Sequence, residues 1–385
     1  MNRPSSSSSS HPAHPTPPNS SADPVTPLAA EAAIEQSQES AEVPTRLTRE
    51  QILPIHEAGV KLLAELAKVP DGDIVSEVVA NAIKLLHDQT NRGDLKLINT
   101  SLKEMRYALK VFAPYRDVRK CSIFGSARTP EDHPDYVSAV QMGKRMADAG
   151  WMVITGAGGG IMEAGHGGAG AGPSFGLAIR LPFEQKTNPF IEGDKKLINF
   201  KYFFTRKLMF VRSSHAVVVY PGGFGTMDEA FEVLTLIQTG KSVPAPIVLV
   251  DQPGGTYWLD WQEYVNKQLL GRRLISEHDL SLYKITDSVD VAVAEVTKFF
   301  SNYHSIRYSR DEMIMRVQRA PGFEELAHIN ATFSDILARG TYRMSEALPA
   351  EKDEPALAHL PRLVFAFNRK DAGRLRMLID YLNTL

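Results

Sequence analysis

The residues of this sequence that could do chemistry are concentrated in the stretch PGGFGTMDEAFEVL, which begins at Pro221. The stretch follows the apolar run AVVVY and has the pattern of a helix from Thr226 onward. Glycines at its start allow a sharp turn that directs successive N–H groups at one point, where the helix dipole favours negative charge. These glycines are Gly222, Gly223 and Gly225. The stretch predicts a site for a monophosphate, because the P-loop pattern G-x-x-x-x-G-K-[ST] is absent.

The same residues also fit an ordinary helix cap. Thr226 and Glu229 have the spacing of a capping box, with Thr226 as the N-cap and Glu229 turned back towards its N–H. Capping explains these two residues but not the glycines. A carboxylate near a helix N-terminus is held ionised, so Glu229 suits stabilisation of a positive charge or polarisation of water, and not proton donation.

A phosphate bound near Glu229 requires a cation beside it. Arg206 and Lys207 are the candidates, because they lie in the predicted helix FFTRKLMFV, which leads into the strand before the glycine turn. An arginine among apolar neighbours is either a surface residue with a buried stem or a buried, paired residue. The sequence leaves these two alternatives open.

Two more loops follow predicted strands. FGSART offers the backbone of Gly125 and the hydroxyl of Ser126 to a phosphate or sugar oxygen, although both residues are common in ordinary turns. TGAGGGIMEAGHGGAGAG does not have the G-x-G-x-x-G spacing, and no acidic residue ends the next strand, which disfavours NAD. This second loop indicates either a close approach of a flat or anionic group or tight helix–sheet packing. Its candidate contacts are Gly158, Gly159 and Gly160.

The elements that must position these loops are strands alternating with helices. Candidate strands are CSIFG, WMVITG, SFGLAIRL, AVVVYPG, APIVLVD and a weaker LYKIT. The alternation predicts an α/β fold, a Rossmann-like doubly wound parallel sheet with helical N- and C-terminal extensions. In such sheets ligands bind at the carboxyl ends of the strands, which is where the three loops lie.

The chain divides by composition into four parts. Residues 1–46 are rich in Ser and Pro, and we expect a disordered tail there. Residues 47–116 form an N-terminal helical region, residues 117–301 the Rossmann-like catalytic domain, and residues 302–385 a C-terminal helical extension.

Composition excludes several classes of function. The net charge of −2 gives no reason to expect a nucleic-acid or lipid partner, and no apolar run is long enough to cross a membrane. Cys121 is the single cysteine, so there is no disulfide framework and no cysteine-based metal site. The lack of a signal peptide and this cysteine usage lead us to expect a cytoplasmic protein.

The combination of FTRKLMF with PGGFGTMDE resembles the Lonely Guy (LOG) family of phosphoribohydrolases. The family signature P-G-G-x-G-T-x-x-E, preceded by an Arg-Lys helix, is filled at every fixed position. FGSAR and TGAGGGIMEA are similar to the family's first two loops, and the resemblance covers roughly residues 117 to 300. It implies hydrolysis of the N-glycosidic bond of a nucleoside 5′-monophosphate, AMP or an N6-modified adenine nucleotide such as a cytokinin precursor, to free base and ribose 5-phosphate.

The resemblance also implies roles for individual residues. Arg206 and Glu229 match the catalytic pair, and Glu184 matches a glutamate that contacts the substrate. Lys207 adjoins the phosphate turn, and Asp228 stands where many members have Glu, so its role stays open. The phosphate turn itself comprises Gly222, Gly223, Gly225 and Thr226. The resemblance implies no cofactor and no metal, and an active site near the contact of a homodimer or a higher homo-oligomer.

There are two alternatives to this activity. Proteins of this family have often carried the label lysine decarboxylase, but no stretch suggests a Schiff-base lysine with an acidic partner for pyridoxal phosphate. The other alternative is a non-catalytic nucleotide-binding or carrier protein on the same fold. Arg206 and Glu229 discriminate between enzyme and carrier, because a carrier does not need both.

Overall fold

The computed structural model describes residues 49–86, 88, 90–181 and 186–385. The described residues form two compact units, one that ends at Arg92 and one that begins at Gly93. In the first unit, helices α1 (Arg49–Leu66) and α2 (Gly72–Lys84) pack against each other. The Ser- and Pro-rich residues 1–46 lie outside the described residues. None of the described helices combines the length and the hydrophobicity needed to cross a bilayer.

The second unit is built on a parallel sheet of seven strands in the order β4-β3-β2-β1-β5-β6-β7. The strands are β1 (Lys120–Phe124), β2 (Met152–Thr155), β3 (Ser174–Ile179), β4 (Leu197–Phe200), β5 (Ala216–Val219), β6 (Ile247–Val250) and β7 (Tyr283–Thr286). The predicted doubly wound sheet is confirmed. Strand β4 was not predicted, because its apolar residues run on into the following helix and share its pattern.

Helices cover both faces of this sheet. They are α3 (Arg92–Phe112), α4 (Pro134–Asp148), α5 (Ile161–Ala169), α6 (Phe203–Ser213), α7 (Phe224–Gln238), α8 (Tyr257–Tyr264) and α9 (Val289–Lys298). Along β5, Ala216 and Val218 pack into the layer of α4, α5 and α9, whereas Val217 and Val219 pack into the layer of α3, α6, α7 and α8. Burial on both faces explains why the strands read as continuous apolar runs.

The order of the strands reverses between β1 and β5, which creates a crevice at their carboxyl ends. The loops after these two strands are joined there, because Ser126 N–H donates to Pro221 O at 3.0 Å. The loop after β2 joins them, because Ile161 N–H donates to Ser126 O at 3.0 Å. The topology therefore brings the three predicted loops together.

Residues beyond the parallel sheet form a second sheet. Its antiparallel strands, in the order β10-β11-β9-β8, are β8 (Tyr303–Ser309), β9 (Glu312–Val317), β10 (Leu337–Ser345) and β11 (Arg362–Phe367). Helices α10 (Phe323–Thr332) and α11 (Ala372–Leu382) accompany it, so helices lie at both ends of the chain as predicted. The sheet itself is a correction to the helical reading of residues 302–385.

The sequence pattern did not predict the strands of the second sheet, for two physical reasons. Arg316 and Arg362 are 2% and 0% exposed, because both pair with the buried carboxylate of Glu351. These buried charges break the alternation of apolar and polar residues. The turn between β8 and β9 uses Arg310 at φ 52° and lacks the Gly or Asn that usually marks such a turn.

Candidate functional site

The glycine turn after β5 leads directly into α7. The helix begins at Phe224 with Gly223 as its N-cap, and no side chain caps it. The carbonyl of Gly223 accepts hydrogen bonds from the N–H groups of Thr226 and Met227 at 3.0 and 3.1 Å. The predicted capping box is therefore wrong: Thr226 lies inside the helix and Glu229 is not its partner. Because Gly223 is the N-cap, the helix begins at Phe224, two residues before the start predicted at Thr226.

The glycines of this turn differ in what the fold requires of them. A Cβ on Gly222 would lie 2.2 Å from Thr226 Oγ1 and 3.0 Å from Ser126 N, so close packing requires glycine there. A Cβ on Gly223 or Gly225 would meet nothing within 4 Å among the described residues, and neither has a positive φ. The space beside Gly223 and Gly225 is open to an approaching group.

Glycines also set the contact between the first two loops. Gly160 has φ 61°, and a Cβ on it would lie 2.3 Å from Ser126 O. A Cβ on Gly125 would lie 2.7 Å from the side chain of Ile161. At Gly159 the nearest atom would be Ala127 O at 3.6 Å, an ordinary contact. Close packing therefore requires glycine at positions 125 and 160. For the second loop, which contains Gly160, packing was one of the two alternatives that the sequence left open.

Buried hydrogen bonds hold the second loop in a conformation unusual for its residues. Ala157 has φ 62°, in the left-handed region that a non-glycine residue rarely occupies. Its N–H donates to Thr155 Oγ1 at 3.1 Å, and its carbonyl accepts from Asn188 N–H at 2.9 Å. Asn188 Nδ2 also donates to Gly158 O at 3.0 Å. Ala157 is thus held at its N–H by a side chain and at its carbonyl by a backbone N–H, and the carbonyl of the next residue, Gly158, is held by the Asn188 side chain.

His166 completes this network from α5. Its Nε2 lies 3.0 Å from Phe175 O, and its Nδ1 lies 3.2 Å from Asn188 Nδ2. Complete burial lowers the pKa of His166, which makes it neutral, with Nε2–H donating to the carbonyl and Nδ1 accepting from the amide. The sequence did not predict that His166 and Asn188 hold the second loop. The one available signal was a lone histidine among the small residues of GHGG.

Arg206 on α6 lies against the second loop. A Cβ on Gly156 would be 2.8 Å from Arg206 Nη2, and the guanidinium also stands 5.4 Å from the centre of the Phe210 ring. Its Nε is buried without a hydrogen-bond partner among the described residues. Arg206 is half-buried and its Nε has no partner in the described part of the chain, so it matches neither the surface residue nor the buried, paired residue that the sequence left open.

Glu229 on α7 is the opposite charge at this place. It is only 6% exposed, and its Oε2 is buried without a hydrogen-bond partner in the described part of the chain. Each charge acts on the other, because Glu229 opposes the lowering of the Arg206 pKa that burial causes. Arg206 and Glu229 thus each keep a buried polar atom with hydrogen-bonding capacity to spare.

Burial raises the pKa of Glu229, with Lys207 and Arg206 opposing the rise and Asp228 and Glu232 adding to it. This differs from the expectation that the helix N-terminus keeps the carboxylate ionised. Because α7 begins at Phe224, Glu229 falls in the second turn, beyond the turn in which the helix dipole acts strongly.

Lys207 and Asp228 are engaged with each other. Lys207 Nζ lies 2.7 Å from Asp228 Oδ2 and 3.6 Å from Glu232 Oε2. Although partial burial opposes its charge, the hydrogen bond to Asp228 and the neighbouring carboxylates raise the pKa of Lys207. A phosphate contact by Lys207 or a substrate contact by Asp228 would compete with this ion pair. Glu184 lies outside the described residues.

The chain is similar to one family model and to solved structures. A family model described as "Possible lysine decarboxylase" matches residues 158–296. This range includes the Arg-Lys helix and the glycine turn, which carry the resemblance to the LOG family, and it leaves out the first loop and the second sheet. No curated protein matches the chain.

Two solved structures are similar to this chain at low identity. The molybdenum cofactor binding protein of the phototrophic bacterium Rippkaea orientalis is 19% identical, with 47% of this chain and 96% of that protein covered and a TM-score of 0.35. The molybdenum cofactor carrier protein of Chlamydomonas reinhardtii is 22% identical, with 47% and 97% covered and a TM-score of 0.32.

Proposed function

We propose that this protein hydrolyses the N-glycosidic bond of nucleoside 5′-monophosphates, giving free base and ribose 5-phosphate. AMP and N6-modified adenine nucleotides are the substrates that the LOG resemblance suggests. The observation that carries the proposal is the pair formed by Arg206 and Glu229, which are opposite charges beside the crevice of the sheet, each with a buried polar atom that has no hydrogen-bond partner in the described ranges. A site built only to hold a nucleotide has no use for a buried carboxylate near the phosphate.

In this mechanism the phosphate binds at the glycine turn, where the first N–H groups of α7 have no partner within the helix. Cleavage of the bond between ribose and base develops positive charge on the sugar. Ionised Glu229 stabilises that charge or orients the attacking water. Arg206 holds the phosphate or the departing base. The C1′–N bond breaks, the water oxygen bonds to C1′, and the proton that the water loses neutralises the departing base, so neither side chain supplies a proton of its own.

The decisive experiment measures base release from AMP, GMP, CMP and isopentenyladenosine monophosphate by chromatography. Glu229→Gln is expected to lower the rate by about two to three orders of magnitude, because a group of this kind supplies about 3–4 kcal/mol of barrier lowering. Arg206→Met is expected to have an effect of similar size. Glu263→Gln, an exposed glutamate on α8, is the matched control.

The outcomes separate enzyme from carrier. No base from any of the four nucleotides, together with tight binding of one of them, would establish the carrier alternative. Full activity of Glu229→Gln would remove Glu229 from the mechanism. The variant is expected to fold, because burial opposes the charge that it removes.

We also propose that the site is completed at the contact of a homodimer. Phe203, Phe204 and Leu208 surround Arg206 on α6 and are 56%, 54% and 47% exposed, which is unusual for apolar residues so close to a buried charge. Light scattering after size exclusion is expected to show at least a dimer. Phe204→Asp should dissociate it, and Leu274→Asp, at an apolar residue 66% exposed elsewhere, should not. A monomeric wild type would contradict the proposal.

A further inference from the structure

The hydroxyl of Tyr257, the first residue of α8, reaches across to the glycine turn. It donates a hydrogen bond of 2.6 Å to the carbonyl oxygen of Gly222. We infer that Tyr257 is a positioning residue for the phosphate-binding turn, an inference that rests on the proposed function for the identity of the bound anion. No motif of the sequence points to this tyrosine, which lies on an element beyond the turn and its helix.

The planarity of the peptide group links the carbonyl of Gly222 to the N–H of Gly223. In a trans peptide the C=O and the following N–H point in opposite directions within one plane. A hydrogen bond that draws Gly222 O towards Tyr257 therefore turns the N–H of Gly223 to the other side of the turn. That N–H stands directly before the first N–H groups of α7, so its direction decides whether it converges with them on one anion.

The preceding peptide is fixed in a similar way. Pro221 O accepts a hydrogen bond of 3.0 Å from Ser126 N–H in the first loop. Two successive carbonyls of the turn are thus held by two different elements, one on each side. Glycines at 222 and 223 would otherwise leave these peptides free to rotate. Donors that are fixed before the ligand arrives bind it without a further ordering cost.

Tyr257 can hold the turn because its own position is fixed. The next residue, Trp258, is fully buried, and its indole N–H donates to Val250 O at the end of β6 at 3.0 Å. Asp251 accepts a hydrogen bond from Gln252 N–H at 2.9 Å and a long one from Trp258 N–H at 3.4 Å. The start of α8 is therefore anchored to the sheet, and the phenol extends from that anchor to the turn.

The experiment compares Tyr257→Phe with Tyr283→Phe. Tyr283 packs in the same layer and donates to Gln262 Oε1 at 2.8 Å, so its variant also loses one hydroxyl bond but leaves the turn untouched. Calorimetry measures the Kd of ribose 5-phosphate, and steady-state kinetics with AMP give KM and kcat. Tyr257→Phe is expected to raise the Kd and the KM by about 5- to 10-fold, the equivalent of one hydrogen bond, with kcat within about 2-fold. Tyr283→Phe should change neither.

A structural role alone would lower the thermal midpoint and reduce the active fraction, leaving KM and Kd unchanged. That pattern, or equal losses in the two variants, would overturn the inference. A wild type that binds ribose 5-phosphate but releases no base would contradict the hydrolase proposal, and Tyr257 would then be judged by the Kd alone. A wild type that neither binds ribose 5-phosphate nor releases base from any of the four nucleotides would overturn both.

Discussion

Glu229 lies in surroundings that oppose its own charge. Burial raises its pKa above the ordinary value of 4.5, and only Lys207 and Arg206 oppose the rise. If the ionised form stabilises the ribosyl cation, activity is lost as the pH falls through this raised pKa. The acid limb of kcat/KM is therefore expected above pH 4.5. Stability depends on pH in the opposite direction from activity. The free energy of unfolding decreases as the pH rises through the raised pKa of Glu229.

Lys207→Met tests this electrostatic account. The variant removes the cation that opposes the rise most strongly, so the pKa of Glu229 should increase and the acid limb should move to higher pH. The measurement is a pH profile of kcat/KM. Lys144→Met is the matched control, because Lys144 forms a similar pair of 3.0 Å with Asp148 on α4. A limb that stays in place or moves to lower pH would contradict the account.

Gly225→Ala is expected to change stability and ligand binding in opposite directions. The added Cβ meets no described atom within 4 Å, and alanine is the better residue inside a helix, so the free energy of unfolding should rise by up to about 1 kcal/mol. The same methyl group occupies the space in which we place the phosphate, so the Kd of ribose 5-phosphate should rise at least about 10-fold. Denaturant titration and calorimetry on one preparation measure both. Unchanged affinity would remove the phosphate from this turn.

At the scale of the elements, the second loop depends on Asn188, which is far from it in sequence. Asn188→Ala removes hydrogen bonds to Gly158 O and to His166, and leaves these buried groups unsatisfied. We expect a loss of about 1–3 kcal/mol in the free energy of unfolding. Because Ala157 would then be free to leave its left-handed conformation, kcat/KM should also fall. Asn330→Ala, which removes the bonds of a half-buried amide on α10 to the backbone of Tyr342 in β10, is the control for activity.

The elements also show which features a sequence can disclose. The glycine turn and the Arg-Lys helix were predicted because each is written in a few adjacent residues. Tyr257 and Asn188 were missed because they bond to carbonyls of loops that are distant in sequence, and His166 was missed because it bonds to a carbonyl of β3 and to Asn188. A side chain that bonds to a carbonyl leaves no trace in that partner's residue type. Strand β4 and the second sheet were missed for a different reason, since neighbouring apolar residues and buried arginines obscured their periodicity.

At the scale of the whole second unit, α11 ties the second sheet to the parallel sheet. Arg376 on α11 forms an ion pair with Glu295 on α9. Gly373 packs against the backbone of His278, where a Cβ would lie 1.9 Å from the carbonyl oxygen. The two sheets therefore share α11, and at Gly373 this helix packs too closely to leave room for a side chain.

Gly373→Ala should weaken this connection. The methyl group cannot be accommodated without moving α11, and overpacking of this kind typically lowers stability by about 1–3 kcal/mol. Unfolding in denaturant should change from one transition to two, as the sheets lose their common helix. Gly172→Ala, where a Cβ meets nothing within 4 Å, should leave the curve unchanged. A single unshifted transition for Gly373→Ala would show that α11 does not couple the sheets.

The central position of β1 has a consequence for how the protein is made. Its loop contacts the loop after β2 and, across the strand reversal, the loop after β5, which is translated much later. A nascent chain that has emerged only as far as β4 therefore has two of the three loops and lacks the turn that seats the anion. A ligand that needs the turn after β5 can bind only once β5 has left the ribosome, so it stabilises the sheet from that stage onward and gives no help to the earlier folding of β1 to β4.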